Sequence, residues 1–352
     1  MSVIGPTAAL RRWRADGART VIERSRAALY QCYWSDAARV LGADVTAFDD
    51  GSLDISLGDR TTTVWGSYVK VDDPVSVQLA LRKPSARARL DRAGIGTSDQ
   101  LVCGPGQLRN AQDFLHRLGR CTVKPASSGR GLGVTCGITT SGELALAMSF
   151  ALRWDSAVVV ERHLTGSEYR LLILDGDVIS TVRRTPPLVT GDGTSTVHDL
   201  ITAENARRFA DPAGQGLYPI TIDLDLVFTL ARSGMSLGSV PAASQRVAVK
   251  TAVNENGPMS NELVRAPAAI EQLAVEAAHA IQLRYAAVEV IAEEPSQEAS
   301  RERVSSTIVE INATPGLHYH YQVSNPAFEP SVAQILLCRF LGGPPRRTIG
   351  QG

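Results

Sequence analysis

Two apolar, strand-like runs near the carboxyl end each contain a carboxylate, and this feature constrains the fold most. The runs are AAVEVIA at 286–292, which contains Glu289, and TIVEIN at 307–312, which contains Glu310 and Asn312. Burying a lone carboxylate is costly unless a cation or a metal ion neutralises it. Side chains two apart in a strand share a face, so Glu310 and Asn312 point the same way. Three such oxygen donors suit Mg²⁺. The alternative is a pair of edge strands whose acids face solvent.

A lysine followed by a glycine-rich segment forms a second candidate site. Lys124 ends the apolar run CTVKP, and three glycines follow within five positions, Gly129, Gly131 and Gly133. Glycines allow backbone amides to approach phosphate oxygens, and the lysine adds a positive charge. The segment lacks the final GK[ST] of a Walker loop and is not a Rossmann turn, so on this pattern alone a plain turn is an equal alternative.

Lysine is rare in this chain, which makes each lysine informative. It occurs only at Lys70, Lys83, Lys124 and Lys250, and arginine supplies the rest of the 36 basic residues. Arginine therefore provides the general surface charge. We expect lysine where a compact ammonium group is needed in place of a planar guanidinium group. For any single lysine, chance placement is the alternative.

The order of helical and strand-like segments predicts a mixed α+β fold with several lobes. The chain has 352 residues, which exceeds the roughly 250–300 residues at which one hydrophobic core stops growing. Apolar residues between 270 and 281 recur at helical spacing, and the sequence Asp175-Gly176-Asp177 predicts a hairpin between 169–174 and 178–183. The other predicted helices are 19–41, 83–94, 109–119, 143–152 and 331–341, and the other predicted strands lie within 45–66 and at 121–125, 157–161, 286–292 and 307–312.

Charge balance and hydropathy exclude several classes of protein. The 36 basic and 36 acidic residues give a formal net charge of zero, so we expect neither nucleic acid nor an anionic membrane as a partner. No apolar run approaches the roughly 20 residues that cross a bilayer, and the amino terminus lacks the apolar stretch of a secretory signal. The five cysteines include no CxxC pair, which is typical of reduced thiols. Together these features predict a cytoplasmic protein.

Four segments, taken in order, resemble the ATP-grasp carboxylate–amine ligases. They are KPSARARLDRAGI, CTVKPASSGRGLGVT, the stretch at 158–201, and AAVEVIA with TIVEINATPGLHYH. The stretch at 158–201 is the most specific, because it combines G-x-E-Y-R with P-P-x-V-x-G-D-G-x-S-T-V. The resemblance covers about 83–341. Within the family, this stretch resembles the ATP-grasp part of cyanophycin synthetase and that of the fused bacterial glutathione synthetases.

The resemblance implies an ATP-grasp fold in which two α+β subdomains clamp ATP beside a small N-terminal α+β lobe. The implied divisions are an N-terminal lobe at 1–82, an ATP-grasp region at 83–342 and a tail at 343–352. Within the ATP-grasp region, 83–155 would form the lid with the phosphate loop, and 156–342 would carry the metal and substrate sites.

The resemblance also implies roles for individual residues, with ATP and Mg²⁺ (or Mn²⁺) as cofactors. The residues implied to contact the nucleotide are Lys83, Lys124, Ser128, Gly129, Gly131, Glu161, Arg162, His163, Leu164 and Glu168. Those implied to bind the metal are Glu289, Glu310 and Asn312. Those implied to neutralise charge on the transferred phosphoryl group are Arg170, Arg184 and Lys250, and those implied to face the substrates are Gly191, Asp192, Gly193, His318 and His320.

The implied activity is formation of an amide bond between a carboxylate and an amine through an acyl phosphate. Amino acids or short peptides in specialised metabolism are the expected substrates, and a homodimer is compatible with the resemblance. The metal-strand acid is usually Asp where this chain has Glu289, and cyanophycin synthetase has Arg where this chain has His318. The Mur-ligase-like second half of cyanophycin synthetase has no counterpart here, and neither has the glutamate–cysteine ligase half of the fused glutathione synthetases, so a stand-alone ligase is expected. The alternatives are a small-molecule kinase and a non-catalytic nucleotide-binding module.

Overall fold

A computed structural model describes residues 6–127, 129, 131–210, 217–253, 261–293, 305–325 and 330–342, with side chains from residue 22 onward. The helices are α1 (Pro6–Leu41), α2 (Pro74–Ala80), α3 (Lys83–Arg92), α4 (Leu108–Leu118), α5 (Ser141–Ala151), α6 (Val197–Ala210), α7 (Leu224–Arg232), α8 (Ala268–Ala280) and α9 (Val332–Leu341). A short 3₁₀ helix spans Leu317–His320.

The strands form three antiparallel sheets and one two-stranded ribbon. Their bounds are β1 (Asp44–Ala47), β2 (Leu53–Leu57), β3 (Arg60–Trp65), β4 (Tyr68–Val69), β5 (Gln100–Cys103), β6 (Cys121–Pro125), β7 (Thr135–Ile138), β8 (Val158–Arg162), β9 (Ser167–Leu174), β10 (Asp177–Arg184), β11 (Leu188–Thr190), β12 (Arg246–Ala248), β13 (Glu262–Leu263), β14 (Tyr285–Ala292) and β15 (Ser306–Asn312).

The central sheet has the strand order β13-β10-β9-β14-β15 and separates two hydrophobic cores. Successive side chains of a strand point to opposite faces. Leu171 and Ile173 of β9 therefore pack with α2, α3 and α8, and Leu172 and Leu174 pack with α1 and α9. With both faces covered, the sheet is a rigid support for side chains that project near the ends of β9, β10 and β14.

The N-terminal region shares its core with this central sheet. Its own sheet, β1-β2-β3-β4, packs through Leu53, Ile55 and Val64 into the cluster that contains α1 and α9. Trp34 of α1 is 1% exposed, and its Nε1 donates to the carbonyl oxygen of Gly66 at 2.9 Å. The N-terminal sheet is therefore fixed to the rest of the protein by the same apolar contacts that stabilise the central sheet.

The sheet β5-β8-β6-β7 forms a separate unit at 100–162, with α4 and α5 against one face. Apolar positions of α4 recur at helical spacing, and Ala111, Phe114 and Leu115 are buried. Helix α5 begins with a capping box, in which Thr140 Oγ1 accepts from the Glu143 backbone amide and the Glu143 side chain accepts from the Thr140 amide. This third core is distinct from the two of the central sheet, so a cleft forms between the two sheets.

A fourth, small core joins the ribbon β11-β12 with α6 and α7, and no sequence pattern predicted these elements. The strands have only three residues each, and α6 is largely polar, so neither gives a clear periodic signal. The predicted helices and strands of the other segments are confirmed, although α1 begins earlier than predicted, at Pro6.

The hydrophobic clusters group the chain differently from the divisions implied by the resemblance. The buried apolar side chains of helix α3 belong to the core with α2, α8 and the central sheet, and the Lys83 amide at its start donates to the Ala126 carbonyl oxygen of the 100–162 unit at 3.2 Å. All five cysteines are free thiols, as expected. No helix among the described residues has the length and apolar character needed to cross a membrane.

Candidate functional site

A cleft of about 1110 Å³ is lined by residues of the central sheet and of the 100–162 unit, and residues of the N-terminal region line it as well. Most residues implied by the resemblance line this one cleft, although they come from distant parts of the chain. They are Lys83, Lys124, Gly129, Gly131, Glu161, Arg162, His163, Leu164, Glu168, Arg170, Arg184, Lys250, Glu289, Glu310, Asn312 and His318.

Three adjacent strands of the central sheet place four buried charges together. In the register of the sheet, Glu289 of β14 lies opposite Arg170 of β9, and Arg184 of β10 lies opposite Glu168 of β9. Arg170 forms an ion pair with Glu289. Arg184 Nη1 lies 2.9 Å from Glu168 Oε1 and 3.0 Å from Glu289 Oε1. Each acid therefore has a cation partner, which is the condition for burying charge.

Burial and mutual charge set the protonation tendencies of this cluster. Burial raises the pKa of Glu168 to about 7, with the Glu289 carboxylate adding to the effect and the Arg184 charge opposing it. Burial alone would lower the pKa of Arg184, but the carboxylates of Glu168 and Glu289 outweigh it and raise that pKa. The Arg184 guanidinium group thus remains charged in the cleft.

The ring of Tyr319, a residue of the 3₁₀ helix, lies against this cluster. The guanidinium carbons of Arg170 and Arg184 lie 4.6 Å and 4.9 Å from its centroid. Stacking on an aromatic face orients a guanidinium group without consuming its hydrogen-bond donors. Tyr319 therefore helps hold both arginines in the cleft.

Two lysine–glutamate pairs lie beside the buried cluster. Lys83, at the first position of α3, has its Nζ 3.0 Å from Glu310 Oε1. Lys124 of β6 has its Nζ 2.8 Å from Glu161 Oε1 of the neighbouring strand β8. Burial favours neutral Lys124, yet Glu161 and Glu310 outweigh it and raise the pKa of the lysine. Burial likewise opposes charge on Glu310, but Lys83 and Lys124 lower its pKa.

Glu289, Glu310 and Asn312 line one region of the cleft, and the two-residue spacing had predicted a shared strand face for Glu310 and Asn312. Glu289 and Glu310 are direct cross-strand partners, and Asn312 lies two positions from Glu310 along β15. Strand β15 is at an edge of the sheet, but Glu310 is paired with Lys83. The Asn312 Nδ2 atom is buried and has no hydrogen-bond partner among the residues described.

Lys250 is a fully enclosed cation in the cleft wall. It is 1% exposed, and its Nζ lies 2.6 Å from Asp223 Oδ2. Asp223 is also the N-cap of α7, where its side chain accepts from the Leu226 amide. One carboxylate thus fixes both the lysine and the start of the helix. Sequence reasoning did not identify Asp223, although an aspartate before an apolar helix is a recognisable cap signal.

His163 lies in the segment that links the 100–162 unit to the central sheet. Burial lowers its pKa to about 4, and the charges of Arg120 and Arg232 add to this shift. Its Nδ1 lies 3.0 Å from Thr122 Oγ1. The imidazole is therefore neutral at neutral pH. Leu164 of the same segment also lines the cleft, as do Glu161 and Arg162 at the end of β8.

His318 is tied to the N-terminal helix. Its Nδ1 lies 3.0 Å from the hydroxyl oxygen of Tyr30, and that oxygen accepts from the Leu317 amide at 2.8 Å. The hydroxyl hydrogen of Tyr30 is therefore available to donate to the imidazole. His318 lines the cleft, and Tyr30 lines it as well. Sequence reasoning did not identify Tyr30, because the contact joins residues 288 positions apart.

The structure does not bring every predicted residue to the cleft. Gly191, Asp192 and Gly193 form a turn before α6, outside the cleft lining, and His320 Nδ1 lies 2.8 Å from Ser180 Oγ on the buried side of the 3₁₀ helix. Asp192 accepts hydrogen bonds from the Thr194 and Ser195 amides. Ser128 lies outside the described residues. A role for these residues in substrate or nucleotide contact stays a prediction.

Comparison with solved structures identifies the architecture. The crystal structure of a bifunctional glutathione synthetase from Pasteurella multocida matches 86% of this chain and 41% of that chain, with a TM-score of 0.53 and 23% sequence identity. This likeness concerns the fold. The chain has the ATP-grasp fold, of mixed α+β class, as the sequence predicted.

Sequence comparison agrees with the structural one. The glutathione biosynthesis bifunctional protein GshAB of Desulfotalea psychrophila is 28% identical over 274 residues, which are 75% of this chain and 34% of that protein. The protein of the same name from Enterococcus faecalis is 31% identical over 211 residues, 56% of this chain and 27% of that protein. The chain thus spans about a third of the length of these curated relatives. No family model matches the chain.

Proposed function

We propose that this protein is an ATP-dependent carboxylate–amine ligase that forms an amide or peptide bond. The observation that carries the proposal is the convergence, in one cleft, of Lys83, Lys124, Arg170 and Arg184 with acidic partners on strands of two different sheets. Such a surface suits a nucleoside triphosphate next to an anionic acceptor. The sequence similarity to glutathione biosynthesis proteins supports the same reaction class.

In the proposed reaction, the cations of the cleft bind the phosphates and the acceptor carboxylate. The four groups are held by carboxylates at ion-pair distance, so they are oriented before any ligand arrives. Preorganised charge lowers the cost of reorganisation as negative charge moves between oxygens. We propose that Lys124 and the glycines at 129 and 131 contact the phosphates, and that Arg170 and Arg184 face the acceptor carboxylate.

The acidic residues of β14 and β15 fit a magnesium ion. Glu289, Glu310 and the amide oxygen of Asn312 are hard oxygen donors on neighbouring positions of one sheet, and Asn312 has a buried amide whose nitrogen has no partner in the described part of the chain. These three residues would hold Mg²⁺ (or Mn²⁺), which would supply charge neutralisation on the phosphate oxygens. Lys83 and Arg170 occupy the Glu310 and Glu289 carboxylates in the structure, so they would share them with the ion.

The proposed reaction has two steps. A substrate carboxylate oxygen attacks the γ-phosphorus of ATP, which breaks the bond to ADP and forms an acyl phosphate. The amine then attacks the acyl carbon, loses a proton, and expels inorganic phosphate as the amide bond forms. No protein nucleophile is required, because positioning and charge neutralisation are what the cleft contributes. Amino acids or short peptides are the proposed substrates.

The test measures products and distinguishes this reaction from a kinase. The purified chain is incubated with Mg²⁺-ATP and pools of amino acids and small peptides, with ADP and phosphate quantified and products weighed by mass spectrometry. We expect amine-dependent ADP release and a product whose mass equals acid plus amine minus water. A persistent phosphorylated product would refute the ligase proposal in favour of phosphotransfer. Nucleotide binding without turnover in any pool would favour a non-catalytic module.

A further inference from the structure

The part of the cleft lining that comes from the N-terminal region carries two exposed aromatic rings. Trp65 and Tyr68 are each 57% exposed, which is unusual for such large side chains, and both line the same cleft as Lys83 and Lys124. They are the closing cross-strand pair of the β3–β4 hairpin, with Gly66 and Ser67 between them. Their ring centroids are 5.8 Å apart with an interplanar angle of 28°.

These rings are held in place although they are exposed. Trp65 Nε1 donates to the carbonyl oxygen of Asp50 at 3.0 Å, which fixes the indole at its polar edge and leaves its faces uncommitted to hydrogen bonding. The turn between the two rings is fixed by a separate hydrogen bond, because Nε1 of the buried Trp34 donates to the Gly66 carbonyl oxygen at 2.9 Å. A rigid aromatic surface loses little conformational entropy when it binds a ligand.

A third aromatic ring lines the same cleft. The Tyr218 ring lines the cleft, with the Arg26 guanidinium carbon 4.7 Å from its centroid. Cross-strand stacking alone would explain a hairpin contact. It does not explain why the pair lines the cleft, whereas Phe48, which directly follows β1 and is exposed at 47%, lies outside the lining.

From this geometry we infer that Trp65 and Tyr68 bind the side chain of one substrate, and that this side chain is aromatic or otherwise large, flat and apolar. The inference rests on the proposed ligase function and specifies its substrate class. Stacking against two oriented rings, with the reactive group extending toward the cations of the cleft, would select such a substrate over one with a small side chain. The group could belong to the acid or to the amine, and the test separates the two.

The experiment uses blocked probes that can react at one end only. N-acetyl-phenylalanine offers a carboxylate alone and phenylalanine amide offers an amine alone, with N-acetyl-alanine and alanine amide as the small counterparts. Each is supplied with Mg²⁺-ATP and a pool of the twenty amino acids as co-substrate. We expect one phenylalanine probe to be preferred over its alanine counterpart, and that arm identifies the substrate that contacts the rings. Preference for the alanine probes would overturn the inference while leaving the ligase intact.

Variants then separate binding from folding. Trp65→Ala and Tyr68→Ala should each raise the KM for the preferred probe by about 10-fold with little change in kcat, since a stacked aromatic contact has about this effect on affinity. Trp65→Phe should restore most of the affinity, and Phe48→Ala, the matched exposed aromatic outside the cleft, should leave KM unchanged. Unchanged KM in both alanine variants, or equal losses for phenylalanine and alanine probes together with a lower Tm, would overturn the inference.

If no pool supports turnover, the ligase proposal fails and the inference is tested by binding alone. Saturation-transfer NMR with the two phenylalanine probes should then show ring-proton contacts in the wild-type chain and in Phe48→Ala. Loss of those contacts in Trp65→Ala supports the aromatic subsite. Absence of contacts in the wild-type chain, or their persistence in Trp65→Ala, refutes it.

Discussion

Two glycine-rich segments of this chain resemble each other in sequence and differ in what their polar groups contact. Gly129 and Gly131 of the first segment line the cleft, and a side chain at Gly129 would meet open space. The second segment, at 191–193, closes on itself and on the loop that precedes β12. The Gly191 amide donates to the Gln245 carbonyl at 2.8 Å, and Asp192 accepts from the amides of Thr194 and Ser195.

This difference separates a candidate binding loop from a structural turn. A Cβ atom at Gly191 would collide with the backbone of Ala242, so this glycine is required for packing. The first segment follows Lys124, whose charge faces the cleft, whereas the second precedes α6 and satisfies its own hydrogen bonds. We therefore expect changes near the first segment to reduce catalysis, and changes in the second to reduce stability.

Replacing Lys124 should have the largest effect. Lys124→Ala removes a buried charge that we place on the phosphates, so ATP-dependent ADP release should fall by about 1,000-fold. The matched control is Lys70→Ala, since Lys70 is the lysine outside the cleft lining and its exposed Nζ donates to Thr63 Oγ1 at 3.1 Å. Comparable ADP release by the two variants would contradict a catalytic role for the first segment.

Replacing Glu310 should come next. Glu310→Gln keeps the shape of the side chain but removes the charge that faces Lys83 and the proposed ion. We expect turnover to fall by about 100-fold and the Mg²⁺ concentration needed for half-maximal rate to rise. A titration of rate against Mg²⁺ measures both. An unchanged Mg²⁺ dependence would contradict the role of β15 as a metal strand, whatever happens to the rate.

His163 gives a stability test in the neighbourhood of the first segment. Its pKa is lowered by burial from 6.5 to about 4, so the unfolded chain binds a proton that the folded chain does not between these values. The free energy of unfolding should therefore decrease as the pH falls through this range, by roughly 2–3 kcal/mol from this residue alone. Urea unfolding at several pH values measures it, and His163→Gln should flatten the curve. Parallel curves for the two proteins would contradict the neutral, buried state of the imidazole.

Asp192→Ala should have the smallest effect, and it should change stability alone. The variant loses the side-chain acceptor for two amides ahead of α6, so Tm should fall by about 2–4 °C with kcat unchanged. These hydrogen bonds lower the pKa of Asp192, so its contribution is present above the ordinary aspartate pKa and is lost as the pH falls below it. A fall in kcat at constant Tm would instead give the second segment a role in substrate binding.

Sequence patterns predicted the strands and the candidate site residues. They did not predict which strands pair or which side chains contact each other. The runs at 286–292 and 307–312 were recognisable because apolar residues surround a single acid, and the hairpin at 175–177 because of its turn residues. The ion pair between Arg170 and Glu289 joins residues 119 positions apart and exists only because β9 and β14 are neighbours in the central sheet. Local patterns do not specify that strand order.

Sequence patterns also do not predict very short elements or contacts between residues far apart in the chain. The ribbon β11-β12 is too short for a periodic signal, yet it supports Val249 and the adjacent Lys250 in the cleft wall. Asp223 could have been found from its capping position, whereas Tyr319 required knowledge that two arginines stack on its ring. Resemblance to a family supplied the grouping of residues that patterns alone left apart.

The hydroxyl group of Tyr30 makes the N-terminal helix part of the cleft itself. It bonds both to the Leu317 amide and to His318, so the segment after β15 takes its position from a residue almost three hundred positions earlier. The first eighty residues therefore cannot be replaced by another N-terminal lobe without affecting the cleft. A chimaera that grafts another N-terminal lobe onto this body would have to supply a hydroxyl group at the same place, or else accept a displaced cleft wall.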